Sequence, residues 1–128
     1  MNTHETYVSL ETAQLLKKAG FDWECRYGFD EKRTICRGVF NTINWNDGKT
    51  LCCSRPELHI AQKWLREVKN MNIEVSYDKE RNWNFACVFN MDEDITYDNY
   101  FYEKYFDTYE SALEAGIKKC LTLILEKE

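Results

Sequence analysis

Hydrophobic and polar positions alternate along this chain with two different periods, and the switches between them mark its elements. In SLETAQLLKKAGF, residues 9–21, Leu10, Ala13 and Leu16 recur at three-residue spacing, with Leu15 and Ala19 widening the stripe, which predicts a first helix. Ser9 can accept the free amides of its first turn, Glu11 suits its positive end, and Gly20 supplies a left-handed stop. The period then changes to two. Phe21, Trp23, Cys25, Tyr27 and Phe29 face one way and Asp22, Glu24 and Arg26 the other, which predicts a half-buried strand. The polar run 30–33 turns the chain, and TICRGVF, residues 34–40, returns as a second strand. Asp47-Gly48 is a strong turn dipeptide, and TLCC, residues 50–53, is a short third strand.

The second half repeats this order. Ser54 with Glu57 three residues later reads as a capping box, and Pro56 is tolerated in a first helical turn. Leu58, Ala61, Leu65 and Val68 form the stripe of the helix that follows, broadened by Trp64, while Ile60 lies beside Trp64. Ile73, Val75 and Tyr77 then alternate with Glu74 and Ser76, the chain turns over residues 78–82, and Trp83, Phe85, Cys87 and Phe89 alternate back. A last helix carries Ala112, Leu113, Gly116, Ile117, Cys120 and Ile124 on one face, with Thr108, or Asp107 together with Glu110, at its start. The predicted order is helix, two or three strands, helix, two or three strands, helix. That is an α+β domain in which an antiparallel sheet built from two hairpins packs against three helices. No linker interrupts it, so residues 1–128 read as one domain.

Composition narrows the function classes. The chain is 44% hydrophobic and 15% aromatic with one proline, which is globular, and 128 residues suffice to bury a core without staples. Its net charge of −5 repels a phosphate backbone, arguing against nucleic acid as a general partner. The N-terminus lacks the basic start and apolar run of a secretory signal, and no apolar stretch approaches a membrane span. A soluble, cytoplasmic protein is expected. Six cysteines are scattered with no C-x-x-C pair, so they are expected to be reduced and mostly buried, and no metal or other cofactor is called for. Of Cys52 and Cys53, which point opposite ways on a strand, at most one faces the core.

The stretch DEDITYDNYFYEKYFD, residues 92–107, holds six carboxylates and six aromatic rings with one lysine. The plainer reading is a further strand against residues 83–89, with Phe106 tucked under the last helix and Asp92-Glu93-Asp94 a solvated turn. The sharper reading starts from the rings on both of its faces. Tyrosine lies comfortably on a surface where partners dock, and rings flanked by acids suit a cationic partner or a flat ligand that stacks on them. The stretch lacks the glycine and closing glutamate of a calcium loop.

Sequence motifs for catalysis are missing: no G-x-S-x-G, phosphate loop or H-E-x-x-H occurs. His59 falls one helical turn from Cys53, so a Cys53–His59 dyad is geometrically conceivable, but a surface histidine on a helix flank is the simpler reading. A binding role outweighs an enzymatic one.

Three segments, VSLETAQLLKKAGF (8–21), PELHIAQKWLREVKNMNIEV (56–75) and YESALEAGI (109–117), together resemble a family of small uncharacterised proteins encoded by phages and prophages of gut Bacteroidales. The matching positions are mainly helix caps and core faces, and they carry no chemistry. What the resemblance implies is context: an accessory protein of a phage-infected bacterial cell that binds a host protein or sequesters a small signalling molecule, a nucleotide among them, in the manner of anti-defence proteins and often as a homo-oligomer. Candidate contact residues are Tyr97, Tyr100, Tyr102 and Tyr105, with Trp45, a turn indole that has little core to enter, and Arg33, Arg37 and Arg55 for any phosphate. The rival expectations are a self-associating assembly protein of a phage particle or replication machinery, and a small hydrolase or nuclease.

Overall fold

In the computed structural model the described residues are 6–38, 42–48, 51–89, 100–101 and 105–127. The elements are α1 (Leu10–Ala19), β1 (Tyr27–Phe29), β2 (Ile35–Arg37), β3 (Cys53–Ser54), α2 (Leu58–Val68), β4 (Met71–Asp78), β5 (Asn82–Phe89), β6 (Tyr100–Phe101) and α3 (Tyr109–Glu126). The architecture is α+β with three helices, in the expected order. The hairpins, however, fall into two antiparallel sheets of three strands each, ordered β2-β1-β3 and β4-β5-β6.

Local sequence explains the ends of α1. The Ser9 hydroxyl accepts from the Thr12 amide, and Gly20, at φ 96°, donates its own amide back to Leu16 and Lys17. The strand expected over residues 21–29 pairs only at its end, in β1, with Cys25 bridging to Ile43 on the way. Its alternation nonetheless reads the faces correctly: Phe21, Cys25 and Phe29 are buried while Asp22, Glu24 and Arg26 are exposed.

The capping box expected at Ser54 and Glu57 does not form. α2 starts at Leu58, with Glu57 as its cap residue but no side-chain bond, and Pro56 precedes the helix instead of entering it. Ser54 belongs to β3, fully buried, where its hydroxyl accepts from the Trp45 amide at 3.1 Å. The physical reason is competition: a buried hydroxyl must be bonded, and the loop at 45–46 bonds it before a helix can.

The core lies between the long hairpin β4–β5 and the helices. α3 lies on both strands at Gly116, where a Cβ would come within 2.7 Å of Ile73 and 3.2 Å of Phe85, so only glycine allows the approach. Trp64, Phe21, Leu16, Leu65, Ile117 and Leu121 are its largest fully buried hydrophobic side chains, each worth roughly 1.5–3 kcal/mol or more of burial. On the outer side of β4, the Gln62 amide donates to the Ile73 carbonyl at 3.0 Å and so occupies part of the sheet's open edge. β6 pairs with β5, Ala86 opposite Phe101 and Cys87 opposite Tyr100, and Trp83 forms a two-bond bridge with Phe106. None of the helices, over the described residues, is long and apolar enough to cross a membrane.

Candidate functional site

The segment before α1 runs antiparallel to the start of α2. Val8 donates to the Pro56 carbonyl at 3.1 Å and Leu58 donates to that of Thr6 at 2.8 Å, so Tyr7 bridges Glu57. These bonds lay the Tyr7 ring on Arg55, whose guanidinium carbon sits 4.5 Å from the ring centroid and 5.9 Å from that of Phe29. Tyr27 meets Tyr7 edge-on at 5.4 Å, and the Arg55 amide is tied to the Tyr27 carbonyl at 2.9 Å. Arg55 is thereby 7% exposed, an unusual position for an arginine, and burial pulls its pKa below the ordinary guanidinium value against the opposing pull of Tyr7 and Tyr27. Burial, then the carboxylate of Glu57, pushes the Tyr7 hydroxyl up.

Tyr7 and Arg55 stand between two open cavities and line both. One, of about 430 Å³, is walled by Val8, Leu10, Phe29, Ile35 and Leu58 and closed on one side by Glu110, Ser111 and Glu114 of α3. Glu114 is fixed there: one of its oxygens accepts from the Ser9 amide at 3.0 Å and from the Thr12 hydroxyl at 2.7 Å. The other, of about 560 Å³, offers the rings of Trp23, Tyr7 and Tyr27 with Pro56 and Ile60, and it gathers Arg26, Arg55 and Lys63 against Glu24 and Glu57. Three cations against two carboxylates leave this cavity positive in a chain that is negative overall. Both volumes suit a small molecule.

His59, on the rim of the larger cavity, sits with Nδ1 3.2 Å from a Glu57 oxygen. Cys25 shares that wall, but burial pushes its thiol up to about 11, and burial likewise raises that of Cys53, so both stay protonated and poorly nucleophilic near neutral pH. The Cys53–His59 pairing conceived from the sequence thus has a core thiol on one side and a glutamate-paired imidazole on the other. Among the described residues, no group of three or more histidines, cysteines and carboxylates is placed to hold a metal ion.

Of the candidate contact residues named from the sequence, Arg55 is the one that lines these cavities among the described residues. Arg33 sits at φ 67° in the β1–β2 turn and Arg37 ends β2, both exposed. Trp45 is not a stranded turn residue. Its indole lies flat on Gly28, packs against the core and donates to the Cys25 carbonyl at 3.0 Å; the missing Cβ of Gly28 makes the room. Tyr105 is exposed beside Arg81, and Tyr100 is in β6. Tyr97 and Tyr102 lie outside the described residues, as do Asp92, Glu93 and Asp94. The sequence reading missed Tyr7, Trp23, Tyr27, Arg26 and Lys63 as a group. Trp23 and Tyr27 stood out only as the half-buried members of an alternating run, and Tyr7 carried no local signal at all, since its place depends on pairing fifty residues away.

Comparison of the chain with protein-family models, with curated proteins and with solved structures finds no match.

Proposed function

We propose that this chain is a non-enzymatic binding protein whose larger cavity takes a small anionic ligand carrying a flat ring, a nucleotide being the first candidate. The observation that carries the reading is the buried Arg55, stacked under Tyr7 and bordering a cavity that also presents Trp23, Tyr27, Arg26 and Lys63. A guanidinium held by stacking is pre-oriented for phosphate or carboxylate, and rings around it accept a base by its face. The protonated thiols on and behind the wall support binding without turnover. The resemblance to phage accessory proteins gives this activity a matching role, the sequestration of a signalling nucleotide in the host cell.

Native mass spectrometry of gently purified protein, then calorimetry with AMP, GMP, CMP and UMP beside their nucleosides, tests it. At least one nucleotide should bind, with its nucleoside weaker by about tenfold or more, the equivalent of one charge-assisted contact. Replacing the exposed pair, Arg26→Ala with Lys63→Ala, should weaken binding comparably while the melting temperature holds. Silence from all four nucleotides with no co-purifying anion, or equal binding of nucleosides, refutes the proposal.

A further inference from the structure

A second surface, on a different part of the molecule, carries an inference of its own. Tyr77 of β4 and Trp83 of β5 are cross-strand partners, with ring centroids 4.8 Å apart. Trp83 then meets Tyr109, the first residue of α3, edge-on at 5.5 Å and 89°. The two-bond bridge between Trp83 and Phe106 holds residues 105–109 against the hairpin end, bringing Tyr105 to the same region. Rings from β4, β5 and α3 thus converge. They do not sink into the core: Tyr77 is 55% exposed, Tyr109 40% and Tyr105 37%. Contiguous exposed aromatic surface of this kind marks interaction sites in soluble domains, and tyrosine and tryptophan dominate the energetics of such sites.

The charge around the rings selects the partner. Asp78 ends β4, Glu80 lies in the β4–β5 turn and Asp107 precedes α3, with Glu110 following Tyr109 at the border of the smaller cavity. Against these four carboxylates stand Lys79 and Arg81. Arg81 also shows what the surface can hold. Its guanidinium carbon lies 5.9 Å from the Tyr105 centroid with Nη1 3.5 Å from the phenol oxygen, and that contact, with the charge of Asp78 behind it, favours its protonated form. Planar guanidinium over a tyrosine face beside a carboxylate is therefore an arrangement this fold already makes, here and at Arg55 with Tyr7.

We propose that the Tyr77–Trp83–Tyr109 surface is a docking site for an arginine-bearing, basic segment of another protein. Guanidinium groups stack on the open ring faces while the surrounding carboxylates neutralise them and exclude acidic partners. The site is independent of the nucleotide-sized cavity, so the two proposals stand or fall separately.

The test is a ¹⁵N–¹H spectrum of the full chain titrated with a hexa-arginine peptide, and separately with a hexa-glutamate peptide, at near-physiological salt (about 0.15 M), where loose surface pairing is largely screened. Shifts concentrated at Tyr77, Trp83, Tyr105, Tyr109 and the Trp83 indole N–H are expected with arginine and not with glutamate. Tyr77→Ser with Tyr109→Ser should raise the Kd by about tenfold or more, and Glu80→Lys, in an exposed turn where folding is little affected, should weaken binding in the same direction. Shifts spread evenly over the acidic surface, equal response to both peptides, or unchanged affinity in Glu80→Lys overturn the proposal.

Discussion

Gly28→Ala is a one-methyl substitution on a three-residue strand, and the structure makes it costly. A Cβ at position 28 would fall 2.2, 2.5 and 2.6 Å from three atoms of the Trp45 indole, far inside contact distance. Neither partner yields easily. Gly28 is in the central strand, paired with Cys36 on one side and Ser54 on the other. Trp45 is pinned by its indole bond to Cys25 and its amide bond to Ser54. Overpacking of this kind costs about 1–3 kcal/mol. Expelling the ring instead forfeits its burial and a hydrogen bond of about 1 kcal/mol. Removing a glycine from the unfolded chain returns roughly 0.4–1 kcal/mol, which leaves a net loss of about 1–2 kcal/mol. In urea, with a slope of about 1–3 kcal/mol/M, the midpoint should fall by about 1 M.

The decisive reading is a double-mutant cycle. Trp45→Ala alone should cost about 2 kcal/mol, below the range for a fully buried tryptophan because this one is only partly buried. Once the ring is gone the alanine at 28 has room, so the double variant should be little worse than Trp45→Ala, with a coupling of about 1–2 kcal/mol. Costs that simply add, or a Gly28→Ala variant within about 0.5 kcal/mol of the parent, would refute the packing described here.

Two further outcomes follow from titratable and redox groups. Asp30 accepts amide bonds from Thr34 and Lys32, each at 2.9 Å, and its pKa is held below the ordinary carboxylate value by the Thr34 bond first, aided by the Cys36 thiol and the Lys32 amide. Its support of the β1–β2 turn is therefore complete above the unfolded value of about 4 and is lost as pH falls through the lower folded value. A carbon-detected titration of Asp30 should show the depressed midpoint together with movement of the Thr34 amide, and an ordinary midpoint would contradict the bonding. The sulfurs of Cys87 and Cys120 are 3.1 Å apart and fully buried, and the Cys87 contact, with burial behind it, raises the Cys120 pKa. The folded protein should resist diamide at this pair, whereas refolding under oxidising conditions should link it, since the sulfurs need approach by only about 1 Å. Peptide mapping that finds other pairings, such as Cys36 with Cys52, would count against it.

The helices were the legible part. Ser9, Gly20 and Thr108 act within a turn of themselves, so their caps are visible in a short window; Ser9 and Gly20 form as expected, and of the two starts expected for α3 the structure has Thr108. Strand faces were legible too, because a period of two survives even where residues 21–26 make no continuous ladder. What the sequence concealed depends on distance along the chain. Ser54 reads locally as a helix cap because its competitor, the 45–46 loop, lies outside any local window. Trp45 looked stranded because the groove that receives it is made by the absence of a side chain at Gly28. The cavity residues escaped for the same cause: Tyr7 reaches Arg55 only through a bridge to Glu57. Arg55 stands out in the sequence for its charge alone.

The same bridge bears on how the protein should be handled in the laboratory. The backbone at Thr6 runs directly to Tyr7, a wall of both cavities, so a tether attached at Thr6 itself would sit beside the candidate site. The opposite end of α3 is free of that conflict. From Glu114, beside the smaller cavity, to Glu126 is twelve helical residues, or about 18 Å of rigid spacer. Immobilisation through the C-terminal end of α3 keeps the tether away from both cavities, whereas one attached at Thr6 would compete with any ligand for the same space.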